Sequence, residues 1–457
     1  MRLTWAQPED LVAAELAALR EQGAVEDDLA AVERRWALAG GATTLQPSGA
    51  SAVPAPPALR ALAREILGEL AALGGASPEE PDEWGAIESL LPPEPALVRP
   101  AAAEPDRVRG AWYGRAAGCL LGKPVEKIPR AGIEEIARAT GNWPITGYFT
   151  QRGLPTEVAA RWPWNRRSAP TSLVENIDGM PEDDDLNFPL LALDLLEAHG
   201  AALTTEQVAQ AWLDNLPGGR VFTAERAAYR NLLDARPVPE TATHHNPFRE
   251  WIGALIRADV YGWAHPGDVR AAARLAWTDA RLSHTRNGLY GAMWASALCA
   301  ASLVAATPAD VLDAAGAVVP PRSRLADAIA MGRAAGRVVA TGASDEAEAL
   351  DTLHASLGHL HWVHTLNNAA LIACALEASG GDFGRGIRIA VAGGWDTDSS
   401  GATVGSVLGA LAGFAAIDPS WTAPLRGRIA TSLPGGAERD IEELASRTRA
   451  LPERMRT

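Results

Sequence analysis

Thiol chemistry is scarce in this chain. Its 457 residues include three cysteines, Cys119, Cys299 and Cys374, far apart in Ala- and Leu-rich stretches and never as CxxC. That pattern speaks against a zinc site built on thiolates, and sparse, odd-numbered cysteine use suits a reducing cytoplasm. Positive charge is also short. Lysine is rare and the formal net charge is −15, which argues against nucleic acid or an anionic membrane as partner, since both need a basic surface. The first residues, "MRLTWAQPEDLVAAELAALREQ", turn acidic at once and lack an apolar signal core. The most apolar windows, around 291–306 and 401–417, are too short or too interrupted for a bilayer span. β-branched alternating runs are nearly absent, so little sheet is expected. What remains is 47% hydrophobic and 21% charged, the profile of a globular protein with length for one large domain or two or three ordinary ones.

Helical period fills most of the chain. "EDLVAAELAALREQ" and "EDDLAAVERRWALAGG" predict helix over 9–39, and "ALRALAREILGELAALGG" carries a leucine stripe at i, i+3, i+4 and i+7. Residues 41–58 read as loop, and the Pro-rich stretch 91–106 reads as a connector. A boundary there divides a helical N-terminal appendage, 1–100, from a larger domain over 107–455. Two segments space glycine by four: Gly110, Gly114, Gly118 and Gly122, then Gly401, Gly405, Gly409 and Gly413. Glycine within a helix costs about 1 kcal/mol relative to alanine. Such a run therefore predicts two helices packed backbone to backbone along one small-residue face.

Carboxylates crowd two places. "GMPEDDDLNFPLLALDLLEAHG" sets Glu182, Asp183, Asp184 and Asp185 before a leucine run, between Pro181 and Gly200. Alone, this reads as helix capping, because carboxylates complement the N-terminal end of the helix dipole. "VAGGWDTDSSGATVGSVLGALAG" repeats the device with Asp396, Asp398, Ser399 and Ser400 at the mouth of the second glycine-spaced helix. Two acidic knots can share a core only around cations, since unpaired buried carboxylates are too costly. Oxygen donors select Mg²⁺, Mn²⁺ or Ca²⁺, and this many carboxylates suits two ions with bridging ligands.

In this order, "GRAAGCLLGKPVE", "EDDD" and "GGWDTDSSGATVGSVLG" resemble the ADP-ribosylglycohydrolase family, which includes the dinitrogenase-reductase-activating glycohydrolases. The resemblance spans about 107 to 430 and takes in "NPFREWIGALIRADVYG", "ARLSHTRNGLYGAM" and "HTLNNAALIACALE". It implies an all-α, multi-helix orthogonal bundle around two Mg²⁺ ions, with Mn²⁺ possible. The implied activity is hydrolysis of the glycosidic bond of an ADP-ribosyl group. The partner would be ADP-ribose or a related ribosyl substrate, including an ADP-ribosylated protein.

Position by position, the family's Gly-Asp-x-x-Gly-x-x-x-Glu motif falls on Gly118, Cys119, Gly122 and Glu126. Its Thr-Asp-Asp motif falls on Glu182–Asp184 or on Asp183–Asp185, and its Asp-Thr-Asp-Thr motif on Asp396, Thr397, Asp398 and Ser399. The implied metal ligands are Asp183, Asp184, Asp185, Asp396, Asp398 and Ser399, with Glu126 and Asp184 catalytic. His284, Asn367 and Trp395 are the candidate substrate contacts; Asn368 and Trp164 offer related chemistry. Cys119 departs from the usual aspartate, the threonine of the metal motif has become a carboxylate, and Trp395 splits the usual Gly-Gly-Asp. These departures leave two other readings open: a ribosyl or nucleoside hydrolase on a small metabolite, and a non-catalytic ADP-ribose-binding helical protein.

Overall fold

The structure is a computed structural model that describes residues 3–46, 48–75 and 77–456. The fold is all-α. Among the described residues the only paired strands are Arg428–Ala430 and Glu438–Asp440, a short antiparallel ribbon. Among the described residues no helix is long and apolar enough to cross a membrane.

The first helix, α1 (Pro8–Glu21), buries Leu11, Val12, Leu16 and Leu19. Helices Glu26–Leu38, Pro57–Ala71 and Trp84–Leu90 follow it, and 91–104 runs without regular structure. These residues lie on the helical body that follows. Glu15 pairs with Arg249 at 2.9 Å, Glu80 with Arg324 at 3.0 Å, and the Arg324 guanidinium donates to the Glu21 carbonyl at 2.9 Å.

Two helices with the glycine spacing form the centre of that body. They are α2 (Pro105–Gly122) and α5 (Thr397–Ala412). Gly110 faces Gly409, Gly114 faces Gly405, Gly118 faces Gly401, and Gly122 faces Thr397; a Cβ on any of the four would collide with the opposing carbonyl oxygen. The glycines therefore do what their spacing predicted: they trade helix propensity for contact between main chains. Two further helices complete the frame. The helix α3 (Asp184–His199) follows the first acidic run and buries most of its leucines, and α4 (Thr365–Ser379) is buried along its whole length.

Candidate metal centre

Both acidic knots sit at helix N-termini. Asp183 is the N-cap of α3 and accepts the Asp185 N–H at 2.9 Å, so the capping reading of the first run holds for that residue. Asp396 precedes α5, whose first residue, Thr397, donates its hydroxyl to the Gly122 carbonyl at 2.9 Å. That bond and the glycine interface carry the second knot to the end of α2. There the two knots meet: the Ser399 hydroxyl donates to Asp185 Oδ2 at 3.2 Å. Glu182 turns aside, accepting from Arg220 at 2.8 Å and from the Asn187 amide at 2.9 Å. Asp183, Asp184 and Asp185 are thus the members of the run that face the second knot.

Behind the carboxylates lie two cations. Arg115, fully buried on α2, donates to the Asp185 carbonyl at 2.8 Å and pairs with Asp259 at 2.7 Å and with Asp185 Oδ1 at 3.5 Å. Lys123 is buried and ion-paired with Asp183. Asp183 therefore carries its own counter-ion. The Cys119 sulfur lies within 4.8 Å of oxygens of both Asp183 and Asp185. Burial, then the charge of Asp183, push its pKa well above the ordinary thiol value.

The remaining charge is unbalanced. Burial, followed by neighbouring carboxylates, raises Asp184, Asp185 and Asp396 well above the ordinary carboxylate range. Asp398 is pushed up to about 7 by burial, then by Glu126 and Asp183. Asp183 moves the other way: burial opposes its ionisation, but Lys123 overrides it and holds the pKa low. The donors facing the centre are carboxylate and hydroxyl oxygens, a set that fits hard divalent cations.

These groups floor a cleft of about 430 Å³. Glu126 lies on its wall, half-buried, accepting from the Asn165 amide and pairing with Lys127 at 3.2 Å. Above the acidic floor the lining turns basic and aromatic, with Lys127, Arg166, Arg167 and Arg220 beside Phe222 and Trp362. The chain has two lysines, Lys123 and Lys127, and both line this cleft.

Three expected substrate contacts sit elsewhere. His284 is buried with Nδ1 2.8 Å from the Ser283 hydroxyl and Nε2 3.9 Å from Glu225; it is Glu225 that reaches the cleft. Burial and Arg257 hold the His284 ring neutral. Asn367 donates to the His361 carbonyl at 3.0 Å and accepts from the Asn368 N–H at 2.9 Å. Trp395 has φ +61° and stacks on His354 at 4.1 Å. None of the three is among the residues lining the cleft. Trp164 packs against Phe149, with ring centroids 6.1 Å apart. Asn368 is the asparagine that serves the site, since its Oδ1 accepts from the Asp396 N–H at 3.2 Å and from the Ser400 hydroxyl at 3.1 Å. Sequence reasoning passed over Lys123 and Arg115 as well, although Lys123 stands inside the "GKPVE" motif and is one of two lysines in an arginine-rich chain.

A comparison with curated proteins finds no match. Among solved structures, an ADP-ribosylglycohydrolase-related protein complex aligns at 22% identity, over 77% of this chain and 98% of its own, with a TM-score of 0.44. The ADP-ribosylglycohydrolase profile matches residues 100–456, more than three quarters of the sequence and every carboxylate that lines the acidic cleft. The chain belongs to the ADP-ribosylglycohydrolase family.

Proposed function

We propose that this protein is a metal-dependent glycoside hydrolase that cleaves the glycosidic bond of an ADP-ribosyl group carried by a protein or a small molecule. The observation that carries the reading is the meeting of two acidic helix N-termini in one cleft, joined by the Ser399–Asp185 hydrogen bond, with too few cations of their own. Asp184, Asp185, Asp396, Asp398 and Ser399 would hold two Mg²⁺ ions, or Mn²⁺ in their place. When bound, such ions supply Lewis-acid stabilisation of the ribose and its leaving group. Asp183 has its oxygens engaged by Lys123 and by the Asp185 N–H. It therefore orients the ligand loop and joins the ligand set only at its edge.

The other residues divide by position. Glu126, on the cleft wall within electrostatic reach of Asp398, accepts or delivers the proton that moves between water and leaving group. Asn165 orients its carboxylate. Asp184, half-exposed on the floor, is the second candidate base. A basic rim over an acidic floor favours a substrate that carries phosphate beyond its ribose, as ADP-ribose does and a nucleoside does not.

The test is turnover on a panel of an ADP-ribosylated peptide, small ADP-ribosyl conjugates and nucleosides, with and without Mg²⁺. Metal-dependent release of free ADP-ribose supports the proposal. Turnover of nucleosides alone would move the activity to a small-metabolite hydrolase. Tight ADP-ribose binding without turnover of any conjugate would make this a binding protein.

A further inference from the structure

The family match starts at residue 100, but the cleft does not. Thr4, Trp5 and Ser48, all from the preceding segment, lie in its lining together with the catalytic carboxylates. This segment is tied at several points. Arg226 donates through Nη1 to the Thr4 carbonyl at 2.6 Å and to the Thr4 hydroxyl at 2.9 Å. The Trp5 N–H donates to the Gly49 carbonyl at 2.7 Å, and the Trp5 ring is packed so closely on Gly49 that a Cβ there would overlap it. The same ring is 7% exposed and sits edge-on to Phe248, Trp251 and His361, at 5.4, 5.5 and 5.9 Å. Just downstream, Glu15 pairs with Arg249 at 2.9 Å, and Glu21 lies 3.1 Å from His364. Apart from the bond to Gly49, which lies in the same segment, these ties are made to the helical body, so that body sets the position of the strap.

A strap this well held has given up its freedom before any substrate arrives, which lowers the entropic cost of using it as a binding surface. None of the residues proposed above to hold metal comes from this segment, so its place in the lining points to a role other than holding the ions. We propose that Thr4 and Trp5 form a specificity-determining wall of the substrate site, contacting the part of the ADP-ribosyl group that lies beyond the ribose. This rests on the ADP-ribosyl reading above. The N-terminal segment thus belongs to the substrate site rather than standing apart from it.

The experiment uses the full-length protein with Mn²⁺ and free ADP-ribose as probe. Calorimetry should show Trp5→Ala weakening ADP-ribose by about tenfold, a change of roughly 1.4 kcal/mol, with Mn²⁺ affinity unchanged. Trp5→Phe should recover most of the loss. All three native cysteines are buried, so a maleimide reports selectively on Thr4→Cys, a variant that leaves the Trp5 packing alone. ADP-ribose should slow that labelling several-fold in the presence of Mn²⁺. Unaltered ADP-ribose affinity in Trp5→Ala, or labelling of Thr4→Cys that ADP-ribose leaves unchanged, would overturn the wall while leaving the proposed function standing. Failure of the wild-type protein to bind ADP-ribose would remove the proposed function and the wall with it.

Discussion

Two groups of buried carboxylates in this molecule have opposite electrostatics. At the seam under the N-terminal helices, Glu250 accepts from Arg324 at 2.7 Å, from Asn287 at 2.8 Å and from Gln22 at 2.8 Å. Burial pushes its pKa up, but Arg324 and then the other donors pull it down to about 2. Glu80, beside it, is also held low: burial is again outweighed by Arg324. In the cleft, equally buried aspartates are driven upward, Asp398 to about 7. Burial is common to both places, so it does not decide the outcome. What differs is the number of guanidinium and amide donors facing each carboxylate. The seam is matched from within the chain and joins two parts of the fold; the cleft holds negative charge that calls for a cation from outside.

The largest effect should come from removing that charge. Asp398→Ala and Asp184→Ala should each abolish Mn²⁺ and Mg²⁺ binding by calorimetry, and turnover with it, while the urea midpoint stays near that of the wild type. Full metal occupancy in both variants would collapse the distinction between cleft and seam. Removing a cation from the seam should do the reverse. Arg324→Met strands Glu250 and Glu80 and should cost about 3 kcal/mol of stability in urea denaturation, with metal affinity unchanged; loss of metal instead would show the seam to be part of the centre.

Glu126 tests the cleft wall more gently. Glu126→Gln keeps shape and removes charge, so metal and ADP-ribose binding should persist while turnover falls about 10²-fold. Near-normal turnover would return Glu126 to a simple pair with Lys127 and pass the acid/base role to Asp184. The smallest effect is a pH dependence of the seam. Because the folded pKa of Glu250 is depressed from 4.5 to about 2, its contribution to stability is complete above pH 4.5 and is lost as pH falls toward the folded value. Glu250→Gln should flatten the stability–pH curve within that window, measured by urea midpoints, and an unchanged slope would contradict the assignment.

Much of the frame could be read from the chain. A glycine at every fourth position of a helix has few explanations, and the facing pairs Gly114–Gly405 and Gly118–Gly401 are the one expected. The acidic knots were visible because four adjacent carboxylates are unusual anywhere. Other features were hidden because local pattern does not encode direction. Asn367 and Asn368 are neighbours on α4, yet only Asn368 turns its amide oxygen to the Asp396 loop. His284 follows a helical pattern as a ligand might, but Glu225 stands between it and the cleft. Trp395 lies one residue from Asp396, and its left-handed backbone swings the ring away onto His354.

Periodicity, glycine spacing and the two carboxylate runs are short-range properties, and they determined by themselves that the protein is helical, that two helices touch through their main chains, and that negative charge gathers at helix ends. Which carboxylates face one another, which of them Lys123 and Arg115 neutralise, and whether residue 5 reaches the wall of a cleft built after residue 100 were decided only by tertiary structure. The physical reason is that each depends on pairs far apart in the chain, Asp185 with Ser399 and Thr4 with Arg226 among them. A sequence records the chemistry of such partners but not the distance between them.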